Sequence, residues 1–498
     1  MKLAQVLAGV PVAKMYQTMY GHMVTTHDVE VRCLQYDSRK VERGDCFIAL
    51  RGATSDGHSF IDTAIGSGAK VVVMERETLP DSYFMHAGVV KVVVGDSRKA
   101  LARMASNYFG DPSAKMTVVG VTGTNGKTTT SYIIQSVLEC AGYSTGLIGT
   151  IEYRIGAQVL PATHTTPESL ELHELFSDMR EGGCTAVSME VSSHALHQSR
   201  VEGIPFAAAV FTNFTQDHLD YHGTMEEYFK CKKMLFDNLD DNAAAVTNTD
   251  DANGERIVAD TRCRIVRYGM NNGADVRGTI KALEITGSTV RIETHEATLD
   301  LRTQLVGRFN VQNALAAFAV GCGLGLEPKT ITEGIEKQPP VRGRFEQVAS
   351  PKGWTAIVDY AHTPDAMKNC LNTIREVMPK HRTGRIITVF GAGGDRDRTK
   401  RPEMGRIANA LSDFAIVTSD NPRTEEAEKI LDDIVEGIVP SSRVIRQVDR
   451  RKAIEQAVEM ARAGDVIVVA GKGHEEYQVI GTQKHHFSDR EVLESLIS

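Results

Sequence analysis

Tryptophan occurs once in 498 residues, and no apolar run approaches the roughly 20 residues of a membrane-spanning helix. Lysine and arginine form no basic block, and the net charge of −8 argues against a nucleic-acid binder. Local arginines can still meet a small anionic substrate. The eight cysteines (Cys33, Cys46, Cys140, Cys184, Cys231, Cys263, Cys322 and Cys370) are scattered, with no C-x-x-C pair. That excludes a disulfide scaffold or zinc ribbon and predicts reduced thiols. Low-complexity tracts and solenoid-length repeats are missing as well. The N-terminus carries only a short apolar run of helical period, so a signal peptide is not expected. A soluble, cytoplasmic, monomeric protein follows as the expectation.

Hydrophobic residues at 42% and charged residues at 24% fit a globular enzyme. At about 100–200 residues per domain the length predicts three domains. Residues 1–110 read as a small α/β domain. Val31 to Tyr36, Asp45 to Leu50 and Lys70 to Met74 are expected as strands, and Phe60 to Gly66 as a helix. Asp37-Ser38-Arg39 and the loop from Arg51 to His58 sit at strand ends, where α/β sheets bind ligands, although turn chemistry explains them equally well. Gly110-Asp111-Pro112-Ser113 marks the first linker.

Residues 111–340 form the second segment, expected as a central, doubly wound, mostly parallel sheet. It opens on a strand, Met116 to Val121, running into Thr122-Gly123-Thr124-Asn125-Gly126-Lys127-Thr128-Thr129 and then a helix. Glycines let backbone N–H groups approach an anion, and the helix N-terminus favours negative charge. Lys127 adds a point charge and Thr128 a hydroxyl suited to Mg²⁺. The strict P-loop glycine is missing, since Val121 stands there, yet nucleotide phosphate binding is the better reading. Two further strands, Thr185 to Met189 and Ala207 to Thr212, end in Glu190-Val191-Ser192-Ser193-His194 and in Asn213 through Asp220. Glu190 and His218, with Asp217 and Asp220 alongside, are candidate metal ligands beside phosphate. From spacing alone Lys230, Lys232 and Lys233 are a solvated helix face. Residues 275–306 alternate polar and apolar, which predicts an antiparallel excursion. A helix from Asn310 to Gly323 follows, and Pro339-Pro340 closes the segment.

Residues 341–498 show four apolar strands alternating with helices: Ala356 to Val358, Ile386 to Phe390, Phe414 to Val417 and Val466 to Ala470. This argues a Rossmann-like sheet, without a good dinucleotide glycine turn. Four polar clusters begin at the strand ends: Asp359-Tyr360-Ala361-His362, Gly394 to Arg398, Asp420-Asn421-Pro422-Arg423, and Gly471-Lys472-Gly473-His474-Glu475. Converging there, they predict a site for an amino-acid-like ligand or a nucleotide.

Several of these runs resemble the Mur ligase family. They are Gly123 to Thr128, Met189 to His194, Thr212 to Gly223, Asp359 to Asp365, Gly393 to Asp397 and Gly471 to Glu475. Asp420-Asn421-Pro422-Arg423 resembles the version in members that add 2,6-diaminopimelate, whereas lysine-adding members commonly lack the arginine. The resemblance implies a uridine-binding domain at 1–110, an ATP-binding domain at 111–340 and an amino-acid-binding, Rossmann-like domain at 341–498. It implies ATP, UDP-N-acetylmuramoyl-L-alanyl-D-glutamate and meso-diaminopimelate as substrates, Mg²⁺ as cofactor, and an acyl-phosphate route in peptidoglycan precursor synthesis. By the same resemblance Ser38 and Thr54 meet the uridine, and Thr165, Thr166, Ser192, Gln198 and Arg200 the sugar-peptide. Gly123, Thr124, Asn125, Gly126, Lys127, Thr128, Thr129, Asn310, Asn313, Arg344, Asp359 and His362 are implied for ATP. Arg396, Asp420, Asn421, Pro422, Arg423, Gly471 and Glu475 are implied for diaminopimelate. Lys232 matches a lysine that becomes carbamylated, joining Thr128, Glu190 and His218 as metal ligands. The charge logic agrees at Arg423, which can grip a far carboxylate that lysine does not offer. A folylpolyglutamate-synthase-like ligase and a nucleotide switch without ligation are the alternatives.

Overall fold

The computed structural model describes residues 1–16, 18, 19, 22, 23, 29–52, 55–378, 384–439 and 443–497. By contact the chain separates into two units, Met1–Gly120 with Tyr143–Ala207, and Val121–Gly142 with Ala208–Ser498. The fold is mixed α/β with mostly parallel sheets. Among the described residues no helix is long and apolar enough to cross a membrane.

In the first unit a five-stranded sheet runs in the order Val12–Tyr16, Val90–Val94, Val71–Met74, Cys46–Ile48, Leu34–Gln35. Only the first pairing is antiparallel. The strand expected over Val31 to Tyr36 shrinks to Leu34–Gln35, which pairs only with Cys46 and Phe47. Valines at 71, 73, 90 and 92 pack under Leu101, Met104 and Ala105 of the helix Ser97–Tyr108. Asp96 starts that helix by accepting hydrogen bonds from the Arg98 and Lys99 N–H groups. Tyr36 Oη donates to Glu171 at 2.6 Å and Arg98 meets Glu168 at 3.0 Å, fastening this sheet to the helix Ser169–Glu181. The strand Ala186–Glu190 lies parallel to Thr145–Ile148, which continues into an antiparallel hairpin, Glu152–Ile155 and Gln158–Pro161.

In the second unit the strands Phe206–Phe211, Ala244–Asn248, Arg264–Gly269 and Val276–Glu284 are parallel neighbours. Gly287–Glu293 and Thr298–Thr303 then add antiparallel pairs, the excursion the alternating pattern predicts. The helix Lys127–Cys140 packs against Arg308–Gly323 and Pro328–Lys337. Gly334 makes the second contact possible, since a Cβ there would lie 2.5 Å from the Val137 Cα. A separate six-stranded sheet runs Glu346–Ala349, Thr355–Asp359, Val466–Ala470, Ile386–Phe390, Phe414–Val417, Val444–Arg446. Its four central strands are the four expected from sequence. The two edge strands correct that count. Both are half exposed and one holds only three residues, so neither carries an apolar run. Because all but the first pairing are parallel, Asp359, Gly391, Thr418 and Gly471 emerge along one carboxyl edge.

His173, on the helix Ser169–Glu181, is fully buried, and neither ring nitrogen has a partner. Burial drives its pKa down to about 4. The unfolded chain therefore binds more protons than the native one between pH 6.5 and 4, and stability falls with falling pH across that window. Lowering pH from 7 to 5 should cost about 2 kcal/mol through this residue alone. Urea unfolding of His173→Phe at both pH values should show that part of the loss removed.

Candidate active site

In the second unit the cradle is held open by close backbone approach. Gly123 has φ 145°, and a Cβ there would sit 1.9 Å from Thr212 Oγ1. Gly126 has φ 86°, with Asn313 Oδ1 2.4 Å from the position of its Cβ. Thr124 N–H donates to the Asn213 carbonyl and Asn125 N–H to Asn213 Oδ1, both at 2.9 Å. Thr212 Oγ1 returns a bond of 2.6 Å to the Asn125 carbonyl. The turn is thus bolted to the end of the neighbouring strand. No side chain caps the helix that follows, which leaves its first-turn N–H groups facing the cradle. Thr128 and Thr129 are buried in that turn.

Two lysines converge on one carbonyl. Lys127 Nζ donates to Gly123 O at 3.0 Å and Thr124 O at 2.8 Å, while Lys232 Nζ donates to Gly123 O at 2.7 Å. Lys232 is 1% exposed, on the helix Met225–Asp237, and its ammonium lies 4.6 Å from the centre of the Tyr228 ring. Burial, and then the facing Lys127, lower its pKa well below the usual lysine value. The solvated face expected from spacing is corrected here. Lys230 is exposed, but Lys232 turns inward with Tyr228, Phe229 and Phe236.

Near the cradle the His218 ring packs on Tyr228. His218 itself holds a left-handed backbone, φ 54°. Its neighbour Asp217 is buried, with Asp220 exposed beyond it. Burial opposes ionisation of Asp217, but His218, His362 and Lys400 face it and hold its carboxyl below the usual range. Burial drives His362 down to about 4, and Lys400 Nζ lies 3.9 Å from the Asp217 carboxylate. His362 donates through Nδ1 to the Tyr360 carbonyl at 2.8 Å.

Three more contacts tie the six-stranded sheet's loops to the cradle. Arg344 donates to Thr128 Oγ1 at 2.9 Å while stacked over Tyr360, and Asn125 Nδ2 donates to Asp365 at 3.0 Å. Gln216 reaches Thr399 at 3.2 Å. Asp359 does not itself face the cradle. Its two oxygens accept the Phe345 and Ala361 N–H groups, and it shapes the segment carrying Arg344. Asn310 and Asn313 are buried, bonded to the Val306 carbonyl and to each other.

Along the carboxyl edge of the six-stranded sheet, Arg423 has φ 53° and donates through Nη1 to the Gly394 carbonyl at 2.7 Å. A Cβ on Gly393 would lie 2.9 Å from that same nitrogen. Asp420, Asn421 and Pro422 are buried beside Glu475, which Asn421 Nδ2 reaches at 2.8 Å. Gly471 has φ 115° and abuts Asp420. Arg396 is exposed on the loop opposite.

The first unit gathers its own predicted residues. Glu190 is buried, with Thr150 donating to it through N at 2.8 Å and Oγ1 at 3.1 Å. Thr150 Oγ1 also lies 3.0 Å from Thr165 Oγ1. Thr166 Oγ1 donates to the Glu190 carbonyl and accepts from Ser192 N–H, and Arg200 bonds the Thr166 carbonyl and Gln198. Ser38 is buried in a short turn capped by Asp37. Thr54 lies outside the described residues.

Family models match along most of the chain. The Mur ligase catalytic-domain model covers residues 30–109, the middle-domain model 121–321, and the glutamate ligase domain model 343–473. The chain belongs to the Mur ligase family. It is 46% identical over 487 residues to the UDP-N-acetylmuramoyl-L-alanyl-D-glutamate–2,6-diaminopimelate ligase of Geobacter metallireducens, covering 93% of this chain and 94% of the relative. A solved structure of a ligase of that name aligns at 31% identity and TM-score 0.68, covering 100% of this chain and 98% of the other. Folylpolyglutamate synthase of Mycobacterium tuberculosis shares the fold at TM-score 0.63 and 16% identity, spanning 75% of this chain and 92% of its own.

In this Mur ligase, sequence reasoning gave no role to Thr150, Tyr228 or Lys400, nor to Asp365, which only ends one of the runs that resemble the family. Thr150 follows a four-residue strand with no pattern of its own, and Tyr228 was hidden in a helix read as solvated. Gly123→Ala should abolish the thermal shift that ATP with Mg²⁺ produces, because the added Cβ would overlap Thr212. A wild-type shift in that variant would refute the cradle as the nucleotide site.

Proposed function

We propose that this Mur ligase joins meso-2,6-diaminopimelate to UDP-N-acetylmuramoyl-L-alanyl-D-glutamate, converting ATP to ADP and phosphate through an acyl phosphate. That places it in cytoplasmic peptidoglycan precursor synthesis, and so in cell shape, division and the cell cycle. The observation that carries the reading is one unit holding both a phosphate cradle and a carboxyl sheet edge that carries Arg423. Full-length relatives of that name support it. Three domains, 1–110, 111–340 and 341–498, divide the labour as uridine, ATP and amino-acid binders.

The cradle N–H groups and Lys127 hold the ATP phosphates, and the phosphates take the place of the carbonyls Lys127 now meets. Arg344 and His362 act from the adjoining loops, and Asn310 and Asn313 fix the cradle's rear wall toward the adenine side. Thr128, His218 and Lys232 would hold Mg²⁺. This donor set is poor in carboxylates, and no group of three His, Cys, Asp or Glu side chains is placed for a metal among the described residues. That suits an ion whose shell is completed by phosphate oxygens and water. Bound there, Mg²⁺ would supply charge neutralisation of the transferring phosphoryl group. Lys232 would contribute as its carbamate, since burial favours the neutral amine, the form that adds CO₂ and gives up an N–H proton to become an anionic oxygen donor. Thr165, Thr166, Ser192, Gln198 and Arg200 orient the sugar-peptide, with Ser38 and Thr54 at the uridine end. Asp420, Asn421, Pro422, Arg396, Arg423, Gly471 and Glu475 receive diaminopimelate.

A coupled assay should release phosphate only when both the muropeptide and diaminopimelate are present. Release with either missing would favour a nucleotide switch. Lys232→Ala should lose activity that added short carboxylates partly restore, and full activity without them would remove the lysine's role. Arg423→Ala should raise KM for diaminopimelate by about 10- to 100-fold, the worth of a charged hydrogen-bonded pair, and leave KM for ATP within a factor of about two.

A further inference from the structure

Lys472 is the one member of the Gly471 to Glu475 run whose charge has no part in the proposed chemistry. Its side chain is 0% exposed. Two glycines put it there. Gly471 has φ 115°, and Gly473 has φ 54° with the Gly343 carbonyl 2.6 Å and the Tyr360 Cβ 2.8 Å from where its Cβ would lie. The chain turns inward between them.

Its ammonium is spent on the residues beside it. Nζ donates to Asn421 Oδ1 at 3.1 Å and to Glu475 Oε2 at 3.0 Å, with Asp420 Oδ1 at 4.0 Å. Asn421 Nδ2 closes the triangle on Glu475 Oε2 at 2.8 Å, and the Val479 N–H fixes Asn421 Oδ1 from the other side at 2.9 Å. Among the described residues Glu475 Oε1 and the Asp420 carboxylate oxygens accept no hydrogen bond, so they remain available to a ligand ammonium. A buried ammonium is costly, and an apolar side chain of equal volume would fill the space at least as well. Filling is therefore not what this lysine adds.

We infer that Lys472 is a positioning residue for the incoming amino acid, holding Asn421 and Glu475 in one fixed arrangement without touching the ligand. The inference rests on the ligase reading above. Two buried carboxylates side by side repel one another. Burial and then Asp420 raise the Glu475 carboxyl, and Lys472 with Asn421 works against that rise. The other groups that feel this carboxylate are Tyr360, Tyr477 and Arg450, and Arg450 is already paired with Asp489 at 2.7 Å. Lys472 is thus the cation held against both carboxylates, 3.0 Å from Glu475 and 4.0 Å from Asp420.

Steady-state kinetics of the full-length enzyme test this with wild type, Lys472→Met, Glu475→Gln and the double variant. Lys472→Met should raise KM for diaminopimelate at least tenfold while KM for ATP and for the muropeptide stay within twofold. The acid limb of its kcat/KM profile for diaminopimelate should move to higher pH, which a merely structural loss would not do. In the double variant the buried pair is neutral, and it should bind diaminopimelate no worse than Glu475→Gln alone. A wild-type KM and pH profile in Lys472→Met, a parallel rise for ATP, or a further tenfold loss in the double variant overturns the inference. Failure of the wild type itself to use diaminopimelate overturns the ligase reading instead, and this inference with it.

Discussion

The buried Lys232 side chain, donating to the Gly123 carbonyl, is the contact on which the shape of the cradle depends. Desolvation disfavours the charged form, and a second ammonium, that of Lys127, approaches the same oxygen. Only a tight surround can keep two such groups together. The strand end Thr212 to Thr215 supplies it by bonding the turn at several points, and the Tyr228 ring covers the cation. Neither feature would hold if residue 123 carried a side chain. One glycine thus sets the cradle's shape and the chemical state of a lysine 109 residues away in sequence.

The loops of the six-stranded sheet reach the cradle through polar contacts. Arg344 on Thr128 and Asp365 on Asn125 are part-buried hydrogen bonds, and Lys400 faces Asp217 at 3.9 Å with both side chains buried. Individually such hydrogen bonds are worth about 0.5–1.5 kcal/mol net. Contacts of that strength can form and break in each catalytic cycle, as a ligase must allow when products leave. The strained backbones cluster here too. His218, Phe345, Asp395 and Arg423 are four of the six non-glycine residues with left-handed φ among those described. Each costs roughly 1–3 kcal/mol, a cost tolerated where a side chain must be aimed.

Much of this was legible in the sequence, and the reasons it stopped are physical. The central strands announced themselves because a parallel strand buried on both faces is a continuous apolar run, as in Val466–Ala470. Edge strands such as Glu346–Ala349 are half exposed and carry no such mark. The cradle was legible because glycine and lysine at fixed spacing have one good physical use. Lys232 was not, because burial of a single lysine depends on what the helix packs against, and spacing alone points to solvent. Only the family resemblance singled it out. Thr150 and Asp365 act through tertiary contacts to Glu190 and Asn125, and no local pattern encodes those.

The amino-acid edge shows how selectivity can be built from what is withheld. Arg423 spends one nitrogen on the Gly394 carbonyl, and Gly393 is bare where any side chain would crowd the guanidinium. The remaining donors of its planar fork match a carboxylate in two bonds. On the same edge, among the described residues, Glu475 and Asp420 keep oxygens unbonded, so the edge carries both signs of charge. An amino acid ending in a lone ammonium satisfies the carboxylates but leaves the guanidinium desolvated and unpaired. A ligand carrying an ammonium and a carboxylate on its far carbon satisfies both. On the proposed reading, discrimination would come from the penalty on the wrong ligand at least as much as from attraction of the right one.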